Sequence, residues 1–130
     1  MKNTSTPEVP EGPMPVLWIL EDDSDIGFVL EMFFQGEGFE TSLFATAKSF
    51  RLALETALPD VFLMDVRLPD GNGVDLCAEL KSDVKSKHIP VLMMSAHARI
   101  EQINSCGFNG FISKPFELNQ ILELVKSQLG

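Results

Sequence analysis

The chain has 130 residues, of which 45% are hydrophobic, and it carries a formal net charge of −9 at pH 7. This length suits one domain with a single core, and the hydrophobic fraction excludes a wholly disordered chain. The acidic balance argues against a nucleic-acid-binding face on this domain. No apolar run is long enough to cross a membrane and the N-terminus lacks the apolar core of a signal peptide, so we expect a cytoplasmic protein.

Strands and helices alternate along the chain. Residues 1–15 contain four prolines and no hydrophobic period, which predicts a disordered tail, and residues 16–130 are expected to form the domain. Short apolar runs predict strands over 16–20, 61–65 and 91–94, and residues 39–44 and 110–113 are also expected to form strands. Helical periods predict helices over 24–35, 47–57, 74–80, 99–106 and 118–129. This alternation with apolar strands predicts an α/β domain, a single doubly wound parallel sheet covered on both faces.

The first predicted helix has capping signals at both ends and an apolar stripe. The first helix can begin at a cap formed by Asp23 or Ser24 and end at Gly36 or Gly38. Its predicted core stripe consists of Ile26, Val29, Leu30 and Phe33.

The two cysteines, Cys77 and Cys106, fall within apolar helical patterns and lack the spacing of metal ligands. We expect them to be buried thiols in a reducing compartment.

Asp65 ends the third predicted strand, a continuous apolar run that is typical of a strand buried on both faces. The residues from Leu68 to Gly73 are rich in Pro, Asp, Asn and Gly and predict tight turns. Open α/β sheets bind their ligands beyond the carboxyl ends of the strands. Asp65 is therefore a candidate functional carboxylate. A structural carboxylate that caps the loop amides is the alternative for this residue taken alone.

Other polar side chains follow the remaining strands. Three acidic residues at 21–23 follow the first strand, Ser95 follows the fourth, and Lys114 follows the fifth. Carboxylates gathered in one cleft repel one another and call for a cation, and oxygen ligands favour a hard ion such as Mg²⁺, or Mn²⁺. Lys114 adds a positive charge suited to a phosphoryl group, and Ser95 adds a hydroxyl. Together these groups predict phosphoryl transfer onto Asp65, although each alone has a structural explanation.

The sequence resembles a receiver domain of the two-component response-regulator family, of which the chemotaxis response regulator is the simplest member. The resemblance covers residues 16–129. It rests on Glu21-Asp22, Asp65 with the loop 68–73, Met94-Ser95-Ala96, and Lys114-Pro115-Phe116. It implies a flavodoxin-like fold with strand order 2-1-3-4-5 and a role in two-component signal transduction. The aspartate that matches Asp65 would accept its phosphoryl group from a phosphohistidine on a histidine kinase or a histidine phosphotransfer protein.

The resemblance also implies the metal ligands. Asp22 would bind Mg²⁺ directly and Glu21 through water, and Asp65 and the backbone carbonyl of Arg67 would be further ligands. Such a domain promotes its own phosphorylation and slow dephosphorylation only, and we expect no other enzymatic activity.

The phosphoryl-binding and switch residues follow from the same resemblance. Ser95 and Lys114 would hold phosphoryl oxygens, and the Lys114-Pro115 peptide bond would be cis. Ser95 and Phe111 would form the switch, in which the aromatic ring turns inward as Ser95 closes on the phosphoryl group. Phe111 replaces the commoner Tyr, so this ring has no hydroxyl to bond.

A second departure from the family pattern lies between Ser95 and Lys114, where the chain is about one helical turn shorter than the family norm. We therefore expect a shortened fourth helix and a monomer or weak dimer. Arg67 and His97 lie two positions after Asp65 and Ser95, where family members tune access of the hydrolytic water. We expect Arg67 to shield the acyl phosphate; solvated loop residues are the alternative.

A docking surface is predicted on the first helix. Phe28 and Met32 point away from the predicted core stripe and should be exposed one turn apart. By resemblance, they would contact the histidine-bearing helices of the partner together with Pro115 and Phe116. An oligomer contact, or a core stripe shifted by one position, is the alternative.

Two other functions compete with this hypothesis. A pseudo-receiver would keep the fold as a protein-binding module that is independent of phosphorylation. A phosphatase with an aspartyl intermediate is disfavoured, because the second aspartate such enzymes place two residues on is Arg67 here. We expect no nucleic-acid or membrane binding through this domain, and a stand-alone regulator or an excised domain.

Overall fold

The computed structural model describes residues 13–96 and 106–130. The strands are β1 (Val16–Leu20), β2 (Glu40–Phe44), β3 (Val61–Asp65), β4 (Arg67–Leu68), β5 (Gly71–Asn72), β6 (Val91–Ser95) and β7 (Gly110–Ser113). The described helices are α1 (Ser24–Gly36), α2 (Ala47–Leu54), α3 (Gly73–Ser82) and α4 (Leu118–Leu129). The predicted short helix over 99–106, and with it the shortening expected there, lies almost entirely outside the described residues, as does most of the predicted tail.

The main sheet has five parallel strands in the order β2-β1-β3-β6-β7. This confirms the predicted order 2-1-3-4-5 of a flavodoxin-like fold. Strands β4 and β5 form a separate two-stranded antiparallel hairpin directly after β3. The sequence predicted only turns there, because each strand has two residues and no hydrophobic alternation.

The central strands β1, β3 and β6 are almost entirely buried on both faces, as their continuous apolar runs predicted, whereas the edge strands β2 and β7 are only partly buried. In β1, Trp18 and Leu20 pack into a core cluster with α2 and α3. Leu17 and Ile19, on the opposite face, pack into a second cluster with α1 and α4. Side chains alternate between the faces of a strand, so each strand contributes to both cores. The carboxyl ends of β1, β3, β6 and β7 therefore meet at one edge between two helical layers.

The buried face of α1 differs from the predicted stripe. Leu30 is buried as predicted, but the other buried residues of this helix are Gly27 and Phe34. Val29, which was assigned to the core, has 47% of its surface exposed, so that assignment was wrong. The two remaining members of the predicted stripe are half-buried: Ile26 and Phe33.

Gly27 explains why the buried face of α1 differs from the predicted one. A Cβ atom at position 27 would lie 2.8 Å from Cδ2 of Leu43 in β2. The missing side chain allows α1 to pack closely against β2 through position 27. This places the following residues, Phe28 and Val29, on the solvent side of the helix.

The helix ends agree with most of the predicted signals. Asp23 is the N-cap of α1, and its carboxylate accepts the N–H groups of Asp25 and Ile26. Gly38, with φ of 92°, adopts the left-handed conformation after that helix. Helix α2 ends three residues earlier than predicted, because the chain continues as a turn that still bonds the carbonyl of Ala53.

Cys77 and Cys106 are both buried and unpaired by any disulfide, as the sequence predicted. None of the helices in the described ranges is long and apolar enough to cross a membrane.

Candidate functional site

Lys114 connects the ends of two other strands. Its Nζ lies 2.6 Å from Oε1 of Glu21, which follows β1, and 2.7 Å from Oδ2 of Asp65, which ends β3. Lys114 itself follows β7, and its backbone N–H donates to the carbonyl of Ser95 at the end of β6. The four strand ends on which the sequence placed the site residues are therefore directly bonded to one another.

Both carboxylates that Lys114 binds are buried. Glu21 has 2% of its surface exposed and Asp65 has 7%. Burying a charged group is costly unless it is paired and hydrogen-bonded, and here both conditions hold. The second oxygen of Glu21 accepts the Asp23 N–H at 3.1 Å, and the second oxygen of Asp65 accepts the Arg67 N–H at 3.1 Å. Each carboxylate is thus held by one ammonium and one backbone amide.

The pKa values of this group show how burial and pairing compete. Burial raises the pKa of Glu21 above its ordinary value, and the hydrogen bond from Lys114 opposes that rise. Burial also acts to lower the pKa of Lys114, but its hydrogen bonds to Asp65 and Glu21 outweigh burial, so this pKa is raised. Lys114 therefore stays protonated throughout the neutral range.

Asp22 completes an acidic cluster with Glu21 and Asp65. One carboxylate oxygen from each residue lies within 4.8 Å of the others, and Asp22 is exposed while the other two are buried. Carboxylate oxygens are the donors that Mg²⁺ and Mn²⁺ prefer, and Mg²⁺ keeps several waters when it binds proteins. A cluster with one side open to solvent fits such a partly hydrated ion. Arg67, whose carbonyl was predicted as a further ligand, lies in β4, two positions after Asp65.

A glycine allows α3 to begin directly behind β3, the strand that ends at Asp65. The N–H of Gly73 donates to the carbonyl of Val66 at 2.7 Å. A Cβ atom at this position would lie 2.1 Å from the backbone oxygen of Asp65, a distance no real side chain tolerates. Asn72 caps the helix by accepting the N–H of Val74. Only glycine permits this close approach of the helix to the backbone of Asp65.

The two predicted switch residues lie on neighbouring strands. Ser95, with 3% of its surface exposed, ends β6. Phe111 is half-buried in β7 and pairs in register with Met93, two positions before Ser95 on the same face of the sheet. Its ring centroid lies 6.5 Å from that of Phe108. The Lys114-Pro115 peptide bond that follows is cis, as the resemblance implied.

The predicted docking residues are exposed or half-buried. Phe28 has 63% and Met32 has 55% of its surface exposed. Pro115 is exposed and Phe116 is half-buried. A small apolar cleft of about 200 Å³ joins α1 to this loop, and it is lined by Asp25, Ile26, Val29 and Phe116. Val29 thus belongs to this surface, which the predicted core stripe had missed.

The structure describes only one of the two residues predicted to tune dephosphorylation. Arg67 is exposed, and only its backbone amide is bonded to Asp65. His97 lies outside the described residues. A further groove of about 350 Å³, between the carboxyl ends of α2 and α3, contains none of the predicted site residues.

Comparison with known proteins gives one consistent result. A sequence model of the response regulator receiver domain matches residues 17–126. The DNA-binding transcriptional regulator NtrC of Klebsiella pneumoniae is 33% identical over 113 residues, which cover 85% of this chain and 24% of that protein. The phosphate regulon transcriptional regulatory protein PhoB of Rhizobium meliloti is 25% identical over 119 residues, which cover 89% of this chain and 52% of that protein. The chain thus spans about a quarter of the length of the NtrC protein and about half of the length of the PhoB protein.

A solved structure shares the fold. The receiver domain of the sensor histidine kinase PA1611 from Pseudomonas aeruginosa superposes with a TM-score of 0.83 at 21% identity, covering 91% of this chain and 99% of that one. That crystal structure has a magnesium ion coordinated in its active site cleft. At this level of identity, the likeness establishes the fold alone.

Proposed function

The chain belongs to the response regulator receiver domain family, and we propose that it is a cytoplasmic protein that accepts a phosphoryl group on Asp65 from the phosphohistidine of a histidine kinase or histidine phosphotransfer protein. The observation that carries the proposal is the Lys114 ammonium bound to Asp65 and Glu21 at the ends of buried strands. A lysine in this position balances the acceptor charge before transfer and can bind phosphoryl oxygens afterwards.

The transfer itself needs a nucleophile of fixed orientation. A carboxylate oxygen of Asp65 attacks phosphorus, forming a P–O bond while the P–N bond to the partner histidine breaks. The electron pair of that bond stays on the imidazole nitrogen, which takes up a proton from solvent. Lys114 holds one oxygen of Asp65 and the Arg67 amide holds the other, so the carboxylate is oriented before the donor arrives.

Glu21, Asp22 and Asp65 would hold the divalent cation that this chemistry requires. When bound, such an ion neutralises the carboxylates and the phosphoryl oxygens during transfer. The acidic cluster supports this assignment because all its donors are oxygens and one of its members faces solvent.

The exposed face of α1 supports a docking role. We assign the contact with the histidine-bearing helices of the partner to Phe28 and Met32, together with Pro115 and Phe116. Exposed large apolar side chains grouped on one face are typical of interaction surfaces. This face adjoins the loop that follows Lys114, so a docked partner would lie beside Asp65. The output of the domain would then be a change in protein-protein contacts that depends on the state of Ser95 and Phe111.

The first experiment tests the acceptor. Wild-type protein incubated with acetyl phosphate and Mg²⁺ should gain the mass of one phosphoryl group, and EDTA should prevent this gain. Asp65→Asn should keep the fold and gain nothing, because an amide is a poor nucleophile. Asp75→Asn, a matched change at an exposed carboxylate in the first turn of α3, should react normally. A wild-type protein that is never labelled would favour the pseudo-receiver; undiminished labelling of Asp65→Asn would refute the assignment of the acceptor.

The second experiment tests docking with two phosphodonors. Phe28→Ala combined with Met32→Ala should slow transfer from a phosphohistidine protein at least tenfold, a common loss for hot-spot truncations. Labelling by acetyl phosphate should stay near normal. A matched control removes two exposed apolar side chains elsewhere, Leu52 and Val84, and should slow neither reaction. Equal losses with both donors would mean that Phe28 and Met32 serve the fold.

A further inference from the structure

Asp70 lies in the turn of the β4–β5 hairpin, and its carboxylate accepts hydrogen bonds from the first turn of helix α2. Its Oδ1 accepts the N–H of Ala47 at 2.7 Å, and its Oδ2 accepts the N–H of Lys48 at 3.1 Å. Ala47 and Lys48 are the first two residues of α2, and the first N–H groups of a helix have no partner within it. The bond from Ala47 is the main reason that the pKa of Asp70 lies below its usual value, so this carboxylate is ionised at neutral pH.

Helix α2 already has an N-cap residue of its own, so the two hydrogen bonds that its amides donate to Asp70 are not needed as its cap. Thr46 is the N-cap, and its hydroxyl oxygen accepts the N–H of Ser49 at 3.1 Å. Ala47 is almost completely buried, and its Cβ lies close to Gly71 in the hairpin. Helix α2 is thus fixed to the hairpin at its first turn by two charge-assisted hydrogen bonds and by packing.

The same hairpin positions the acceptor. Arg67 in β4 pairs with Asn72 in β5, and the N–H of Arg67 donates to Oδ1 of Asp65. A shift of the hairpin would therefore move the amide that orients the acceptor carboxylate. It would also move Asp65 relative to the other carboxylates of the acidic cluster, and the carbonyl of Arg67, which the resemblance predicts to be a further cation ligand. Asp70 lies at the opposite end of this short ladder, where the hairpin turns.

We propose that Asp70 is a positioning residue, which anchors the acceptor hairpin to the first turn of α2 and so fixes the Arg67 amide beside Asp65. The proposal rests on the proposed phosphoacceptor function of Asp65. It has a reciprocal consequence, because coupling between two sites acts equally in both directions. A cation that binds more tightly when the hairpin is anchored must in turn strengthen the bonds from Ala47 and Lys48 to Asp70.

Three variants separate anchoring from simple helix capping. Asp70→Ala removes both bonds to α2, Asp70→Asn keeps an acceptor for Ala47 only, and Thr46→Ala removes the helix's own cap without touching the hairpin. Each is compared with wild type by hydrogen exchange of the Ala47 and Lys48 amides with and without Mg²⁺. Mg²⁺ affinity is measured by titration, and the rate of labelling by acetyl phosphate is measured by intact mass.

We expect Mg²⁺ to increase protection of both amides in the wild type. Asp70→Ala should abolish this increase, and should reduce Mg²⁺ affinity and labelling rate by roughly tenfold, within the range of a lost cap. Asp70→Asn should restore part of each loss. Thr46→Ala should leave Mg²⁺ affinity and labelling rate within about twofold of wild type, since α2 is weakened but the hairpin keeps its anchor.

The proposal is overturned if Thr46→Ala weakens Mg²⁺ binding and labelling as much as Asp70→Ala, because helix stability would then explain both. It is equally overturned if Asp70→Ala leaves Mg²⁺ affinity unchanged. Failure of the phosphoacceptor function has a different signature, in which the wild type is not labelled. Even then, an Mg²⁺-dependent gain in protection that disappears in Asp70→Ala supports the anchor, and no gain in the wild type refutes it.

Discussion

Lys114→Met tests the charge balance of the site most directly. Methionine keeps much of the apolar stem but removes the ammonium that lies 2.6 Å and 2.7 Å from two carboxylates. At an effective dielectric constant of about 20, each contact is worth roughly 6 kcal/mol of gross Coulomb attraction, most of which desolvation offsets. Removing one partner of a buried ion pair costs about 3–5 kcal/mol. The low end applies, because Lys114 keeps 14% of its side chain exposed. We expect a loss of about 3 kcal/mol in the free energy of unfolding, measured in EDTA.

The pH dependence of this loss identifies its cause. Burial already raises the pKa of Glu21, and the hydrogen bond from Lys114 opposes that rise, so its removal raises this pKa further. A carboxyl whose folded pKa is raised is most favourable to folding below its unfolded pKa, and stability falls as the pH rises through the folded value. The deficit of Lys114→Met should therefore shrink when the pH is lowered from about 7 to about 5, as Glu21 takes up a proton.

The chain provides its own probe and control for this measurement. Trp18 is the only tryptophan, and it is buried with ring contacts to three phenylalanines, so its fluorescence should report unfolding in denaturant. Lys81→Met removes a lysine whose Nζ bonds the backbone carbonyls of Lys87 and Ile89, which do not titrate. Its deficit should be independent of pH over the same interval. A Lys114→Met protein as stable as wild type in EDTA, or a deficit that is constant with pH, would refute the reasoning.

Three further variants test other parts of the site. Gly73→Ala should destabilise the protein strongly and prevent labelling, because its Cβ would lie 2.1 Å from the backbone oxygen of Asp65. The control Gly36→Ala should be tolerated, because a Cβ at position 36 would meet no atom within 4 Å. Mg²⁺ at 100 times its dissociation constant should stabilise the fold by about 2.7 kcal/mol and so raise the melting temperature. Asp22→Ala should make this increase smaller at a fixed Mg²⁺ concentration. An increase equal to that of the wild type would show that Asp22 is not a metal ligand. Arg67→Ala should speed decay of the phosphorylated protein if its side chain shields the acyl phosphate, and an unchanged decay rate would refute shielding.

The strands and their ends were predictable from the sequence because their signals are local. Continuous apolar runs and the turns after them place Asp65 and Lys114 at strand ends, and in a parallel sheet these ends must share one edge. The predicted position of Glu21 followed in the same way from the end of β1. The hydrogen bonds that join these three side chains were not predictable, because residues far apart in sequence meet only through the order of the strands.

The errors came from contacts between elements. The buried face of α1 is set by the fit of Gly27 against Leu43, and no periodicity in the helix itself contains that information. Asp70 was assigned to a turn, which is correct, but its carboxylate caps a helix 22 to 23 positions earlier in the chain. Local patterns cannot distinguish an Asp that bonds its own turn from one that bonds a distant helix.

The contacts of Lys114 also constrain how the site can change on the proposed phosphorylation of Asp65. An ammonium has three donors, and within the described residues it uses two of them on Glu21 and Asp65. It can therefore bind a phosphoryl oxygen without first releasing either carboxylate. Three carboxylates and one ammonium leave an excess of two negative charges in the cluster, which one divalent cation balances and one monovalent cation does not. The dependence of labelling on a divalent ion should consequently persist at high concentrations of monovalent salt, because screening by mobile ions acts weakly on the buried charges of Glu21 and Asp65.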